Sequence, residues 1–203
     1  FAQLLGYSQN DLDKITQPWI METFGVEVKR CDTIEQYVEA IDSACLHKYF
    51  SKYWDNDMKK WKYSGLALIN EVNNLKPRAV LDVGCGYNEF RGKIDNLIGI
   101  DPYNDLADLQ VSTLEYRTDQ KFDVIMCLGS INFGSRDKIL AEIGRCVDLL
   151  ADGGTMFFRV NPGVQHSKPE AKWIEFFAWN VPFIIELSEI FNLKVLDIRD
   201  DTN

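Results

Sequence analysis

The feature that most constrains this chain is Val80-Leu81-Asp82-Val83-Gly84-Cys85-Gly86, a short apolar run that carries one acid and breaks into two glycines. An apolar run of this length reads as a strand buried on both faces, the kind found in parallel sheets. The glycines admit left-handed backbone and let a ligand come close to the main chain. Nineteen positions beyond Asp82, the run Leu97-Ile98-Gly99-Ile100 ends at Asp101-Pro102. An acid about twenty residues past a glycine turn lies at the end of the adjacent strand, where its carboxylate can accept both ribose hydroxyl hydrogens of a nucleoside.

From residue 78 onward, short apolar runs alternate with polar loops and helical patterns. Strands are expected at Ala79 to Val83, Leu97 to Ile100, Phe122 to Leu128, Thr155 to Val160 and Leu193 to Ile198, with a weaker one near Leu109. Ile139, Leu140, Ile143, Val147 and Leu150 recur at helical spacing, and Gly153-Gly154 is the expected stop. PFIIELSEIFN predicts a helix ahead of the last strand. Strand, helix, strand in repetition predicts an α/β fold: an open, doubly wound, mostly parallel, Rossmann-like sheet. Ligands of such sheets sit beyond the carboxyl ends of the strands, near the switch in strand order.

Residues 1–61 show no strand-like alternation and predict an N-terminal helical region or lid ahead of a core at residues 62–203. The clearest helix there is IEQYVEAIDSACLHKYF, with Thr33 or Asp32 as N-cap. Another is expected through WKYSGLALINEVNNLK, stopped by Pro77. A chain of 203 residues predicts one hydrophobic core with an appendage.

Charge narrows the partners. With 22 Lys and Arg against 31 Asp and Glu, the net charge of -9 repels phosphate backbones and disfavours a nucleic-acid substrate. Lys48, Lys52, Lys59, Lys60 and Lys62 gather, but Asp55 and Asp57 interrupt them, as on a solvated helix face. Cys31, Cys45, Cys85, Cys127 and Cys146 form no CxxC pair and no metal-ligand spacing, so reduced thiols, no metal and a cytoplasmic location are expected. No apolar run approaches the ~18 residues of a membrane span. The oligomeric state is left open.

The glycine turn also selects among adenosine cofactors. A dinucleotide presents a pyrophosphate, and its fingerprint asks for a third glycine where this chain has Glu89, which would repel it. S-adenosylmethionine has no phosphate and carries an ammonium and a sulfonium, so Asp82 attracts it, while its carboxylate can use the loop amides and the N-terminus of a following helix. VLDVGCGYN with GIDP downstream resembles motifs I and II of the class I S-adenosylmethionine-dependent methyltransferase superfamily. The resemblance spans residues 62–199: FDVIMCLGS is similar to the family's fourth strand, LLADGGTMFFRV to its fifth, and IIELSEIFNLKVLDI to its final helix and strand. Two departures stand out. Asn88 replaces a customary third glycine, a position where asparagine tolerates left-handed geometry, and the family's last antiparallel strand is not visible.

The resemblance implies that Asp82, Gly84, Cys85 and Gly86 hold the methionine part, Asp101 and Pro102 the ribose, Ser112 and Thr113 the adenine, and Leu128 and Gly129 the adenine and methyl surroundings. It implies S-adenosyl-L-methionine as cofactor, and the acidic balance together with the absence of a base-methylating tetrapeptide favours a small-molecule methyl acceptor. Ser130, Asn132 and His166 are the polar candidates for catalysis, His166 by virtue of an intrinsic pKa near ~6.5. Trp173, Phe176, Phe177, Trp179 and Phe183 are read either as walls of an acceptor pocket or as core. The Asn/Asp-Pro-Pro-aromatic tetrapeptide of enzymes that methylate amino groups of DNA bases or glutamine is missing, and Asn161-Pro162-Gly163 reads as a turn. Cys85 lies where a helix start would lower its pKa, though small size is the simpler reason for it. Two other readings stay open: methyl transfer to RNA, DNA or protein, and a module that binds the cofactor without catalysis.

Overall fold

The apolar runs around the glycine turn pair as buried strands do, each edge satisfying its backbone with a neighbour. A computed structural model describes residue 12, residues 14–54 and residues 60–201, so Lys59, Asp55 and Asp57 of the lysine-rich stretch lie outside the described residues. Strands β1 (Val80–Val83), β2 (Leu97–Ile100), β3 (Phe122–Leu128) and β4 (Leu150–Arg159) form one sheet in the order β2-β1-β3-β4, all parallel. The weak strand near Leu109 is a single parallel bridge to Ile100. Because β1 connects outward to β2 on one side and has β3 on the other, the strand order reverses beside β1, and the carboxyl ends of β1 and β3 are where sheets of this kind hold their ligands.

Both faces of the sheet are covered. Leu81, Val83, Ile125 and Cys127 pack against Ile139, Ile143 and Cys146 of an Arg136–Leu149 helix and against Trp179, Phe183 and Leu187. On the opposite face, Val80, Val124 and Met126 pack with Leu68 and Val72 of a Leu66–Asn74 helix and with Phe90 and Ile94. In chain order the helices are α1 (Gln17–Phe24), α2 (Ile34–Lys52), α3 (Leu66–Asn74), α4 (Arg136–Leu149) and α5 (Val181–Ile190). Thr33 caps α2 through a reciprocal box with Gln36, and Ser135 and Asn180 cap α4 and α5.

Several expectations are corrected. The chain divides into two units, Phe1–Trp54 with Gln165–Glu175 and Asp55–Val164 with Phe176–Asn203. The first has a core of its own, built from Ile20, Phe24, Ile34, Tyr37, Ile41 and Cys45, with Trp173 packed against it, instead of sharing one core with the sheet. No helix joins β1 to β2: Asn88, Gly92 and Asn96 all take positive φ, and left-handed residues every fourth position cannot propagate a right-handed helix. Helix α3 begins at Leu66, not near Trp61, and α4 ends at Leu149, four residues before the glycines expected to stop it. Leu193 to Ile198 forms no strand; Val195, Leu196 and Ile198 are exposed, and no neighbour among the described residues supplies the pairing a strand needs.

Candidate functional site

Strand β1 delivers Asp82 to the reversal point and then turns at once. Asp82 is only 3% exposed, and Asp101, at the end of β2, 8%. Burial, reinforced by the negative charge of Asp101, pushes the Asp82 carboxyl up to about 7, while Arg159 pulls it the other way. Burial also raises Asp101, against three backbone hydrogen bonds that lower it.

Those three bonds reveal how the turn is held. Gly86 N–H donates to Asp101 Oδ2 at 3.0 Å, and the N–H groups of Tyr103 and Asn104 donate to Oδ1 at 2.7 and 3.0 Å. A carboxylate offers about four acceptor sites, so Asp101 retains room for one more donor, on Oδ2, rather than for the two hydroxyls expected of it. Three further turn amides are also committed: Gly84 and Cys85 donate to Ile100 O, and Asn88 donates to Cys85 O. The helix N-terminus expected to receive a carboxylate is not there, because no helix follows the turn, and the amides of Gly84, Cys85, Gly86 and Asn88 are bonded inside the protein.

Asn88 adopts φ 56°, the left-handed geometry its side chain tolerates, and its Nδ2 donates to Leu106 O and Asp108 Oδ2. Asp108 in turn accepts from Gly99 N–H and pairs with Arg91, so the turn is tied to the carboxyl end of β2. Two buried polar atoms beside this framework have no hydrogen-bond partner, Asn88 Oδ1 and Ser130 Oγ. Ser130 follows β3 and touches the turn: a Cβ on Gly84 would lie 2.3 Å from Ser130 Cβ, and Gly84 also has φ 66°, so glycine is required there. Ser130 Oγ is an orphan of the kind a ligand satisfies.

The other expected residues are distributed as follows. Leu128 and Gly129 close β3, Pro102 follows Asp101, and Thr113 is buried. Ser112 donates its hydroxyl to Glu115 at 2.6 Å. Asn132 is buried and accepts from Asn161 N–H at 3.0 Å, bracing the ends of β3 and β4 together. His166 belongs to the helical unit, where its Nδ1 is hydrogen-bonded with the Tyr49 hydroxyl at 2.9 Å, whereas Ser130 and Asn132 belong to the sheet unit. Burial together with Asp82, Asp101 and Asp108 raises the Cys85 thiol, which overturns the lowered pKa expected from a helix start. The aromatic set separates as well. Trp173 packs on Phe24 and Phe176 on Phe133, while Phe177, Trp179 and Phe183 join the sheet core. Asn161 Oδ1 accepts from Gly163 and Val164 N–H, making the turn read from Asn-Pro-Gly.

One residue was missed. Arg159 ends β4 partly buried, its guanidinium stacked 4.3 Å from the Trp61 ring and donating to Leu128 O at 2.9 Å. A charge closing an apolar run was the available signal. The five cysteines are free thiols, and among the described residues no cluster could hold a metal ion. Among the same residues no helix is long and apolar enough to cross a membrane.

No protein-family model matches the sequence, and none of the curated proteins does. Solved structures do. A 1,6-didemethyltoxoflavin-N1-methyltransferase from Burkholderia thailandensis, with bound 1,6-didemethyltoxoflavin and S-adenosylhomocysteine, aligns over 82% of each chain at TM-score 0.54 and 14% identity. An S-adenosylmethionine-dependent methyltransferase from Clostridium acetobutylicum aligns over 75% of this chain and 87% of that one at TM-score 0.50 and 16% identity. A sugar N-methyltransferase from Streptoalloteichus overlaps on less than half of either chain, 45% and 44%, at TM-score 0.39 and 19% identity.

Proposed function

We propose that this chain, which carries the fold of the class I methyltransferases, binds S-adenosyl-L-methionine beyond β1 and β3 and transfers its methyl group to a small-molecule acceptor. The observation that carries the reading is the chemistry around the turn. Two buried carboxylates, Asp82 and Asp101, flank a turn in which the amides of Gly84, Cys85, Gly86 and Asn88 are already bonded within the protein. A pyrophosphate needs free N–H donors and meets acids here, whereas a phosphate-free nucleoside with an ammonium finds counter-charge.

The residues divide the work. Asp82 attracts the ammonium, the free acceptor site of Asp101 Oδ2 takes one ribose hydroxyl, and Ser130 Oγ supplies an unspent donor and acceptor at the end of β3. Cys85, with Gly84 and Gly86, lines the turn; Pro102, Ser112 and Thr113 border the nucleoside side; Leu128 and Gly129 border the methyl. The bound cofactor supplies a sulfonium-activated methyl carbon for in-line displacement. The protein aligns the acceptor, and a base is needed only for an acceptor that arrives protonated. Ser130, whose buried hydroxyl has no partner within the protein, is the candidate for that role. Asn132 serves as a brace because its oxygen already accepts from Asn161. The net charge of -9 favours a small acceptor over a nucleic acid.

Calorimetric titration with S-adenosylmethionine and, separately, NADH tests the reading. One-site binding of the former with no binding of NADH is expected; tight NADH binding without S-adenosylmethionine binding overturns it. Formation of S-adenosylhomocysteine with candidate acceptors then separates an enzyme from a binding module.

A further inference from the structure

Arg159 and Asp82 project from the same face of the sheet. Val80, Met126 and Phe157 all pack toward α3, and Asp82 and Arg159 each lie two positions further along their own strands. Their backbones are separated by β3 and offset by two residues along the strands, about 12 Å for two strand spacings and two residue rises. The Arg159 side chain lies over the end of β3, the strand between them: its Nη2 bonds to Leu128 O and sits 2.9 Å from where a Cβ on Gly129 would be. It is held from behind. Trp61 stacks on it, Ser64 Oγ accepts from Nη1 at 3.5 Å, and Asp201, which also accepts from the N–H groups of Tyr63 and Ser64, adds a negative charge beside it.

The charged and titratable groups acting on Asp82 and its surroundings are Asp101, Arg159 and the thiols of Cys85 and Cys127. Of these, Arg159 alone favours the carboxylate form. We infer that Arg159 is a positioning residue for the cofactor: lying over the end of β3 on the face that carries Asp82, it places a positive charge beside the carboxyl that receives the cationic end of the ligand, and Trp61 with Asp201 fixes it there. The inference rests on the S-adenosylmethionine reading of the site. Arg159 does not need to touch the ligand, since its Nη2 is engaged by Leu128 O.

The test compares wild type, Arg159→Lys and Arg159→Met by calorimetry from pH 6 to 9. Two ligands are used: S-adenosylmethionine, and 5′-methylthioadenosine, which has no ammonium or carboxylate. With Asp82 titrating at about 7, losing the guanidinium and moving that value up by about one unit leaves roughly a tenth of it ionised at pH 7 instead of half. Arg159→Met is therefore expected to weaken S-adenosylmethionine about fivefold at pH 7, to recover by pH 9 and to leave 5′-methylthioadenosine unchanged. Arg159→Lys keeps the charge without the fork and falls between the two, which carries the test should the methionine variant not fold. Equal weakening of both ligands at every pH, or no shift in the pH profile, overturns the inference. Wild-type protein that binds neither ligand instead overturns the reading of the site itself.

Discussion

Replacing Asp82 by asparagine separates what this acid does for binding from what it costs the fold. Its carboxyl is raised from the ordinary 3.8 to about 7 by burial and by Asp101. Below the unfolded value both states are protonated and nothing is lost. As pH rises toward 7 the unfolded chain ionises first, so stability declines, and above 7 the whole penalty remains. A shift of roughly three units at about 1.4 kcal/mol each makes that penalty about 4 kcal/mol. Burying an amide at the same place costs about 2 kcal/mol, so Asp82→Asn is expected to be about 2 kcal/mol more stable than wild type at pH 8.5 and close to it at pH 5. For a chain of this size the gain corresponds to a melting temperature raised by roughly 4 to 8 °C. Thermal melts of both proteins at the two pH values measure it, with S-adenosylmethionine titration as the companion readout, where affinity should fall. A stability difference between the two proteins that is the same at pH 5 and pH 8.5 would refute the reasoning.

Other consequences can be checked directly. Binding of S-adenosylmethionine at pH 7 should release a proton from Asp82, because an ammonium beside it favours the carboxylate; the calorimetric heat should then differ between phosphate and Tris buffers, and buffer-independent heats would contradict this. Gly84→Ala places a Cβ 2.3 Å from Ser130 Cβ at φ 66° and should cost about 2 to 4 kcal/mol in a denaturant melt, partly restored by a second change, Ser130→Gly. Glu142 is pushed up to about 7 by burial, and its Oε2 has no hydrogen-bond partner, so Glu142→Gln should raise the melting temperature above pH 7 and leave it nearly unchanged at pH 4.

What could be read from the sequence follows from what is local. The runs at Val80, Leu97 and Phe122 are strands because their apolar residues bury on both faces wherever they pair, and the Gly84 turn and Asn88 are set by backbone geometry alone. Leu193 to Ile198 has a comparable apolar pattern, yet a strand is made by its partner, and the pattern carries no information about whether one is present. The missing helix after the turn was visible in principle: Asn88, Gly92 and Asn96 recur every four residues, each with φ near +60°. Arg159 could be noticed as a charge closing an apolar run, but its surroundings could not, since they depend on Trp61 and Asp201, residues far away along the chain. Nor could the sequence show that the turn amides are consumed by Ile100 and Asp101, because that competition exists only once β1 and β2 lie side by side.

The most direct measurement is a crystal structure of the protein with S-adenosylhomocysteine. The account predicts the ribose against Asp101, the amino-acid portion beyond β1 with its ammonium facing Asp82, and the sulfur near Ser130. Density for the nucleoside elsewhere on the molecule, or a diphosphate held by the turn in its place, would contradict it.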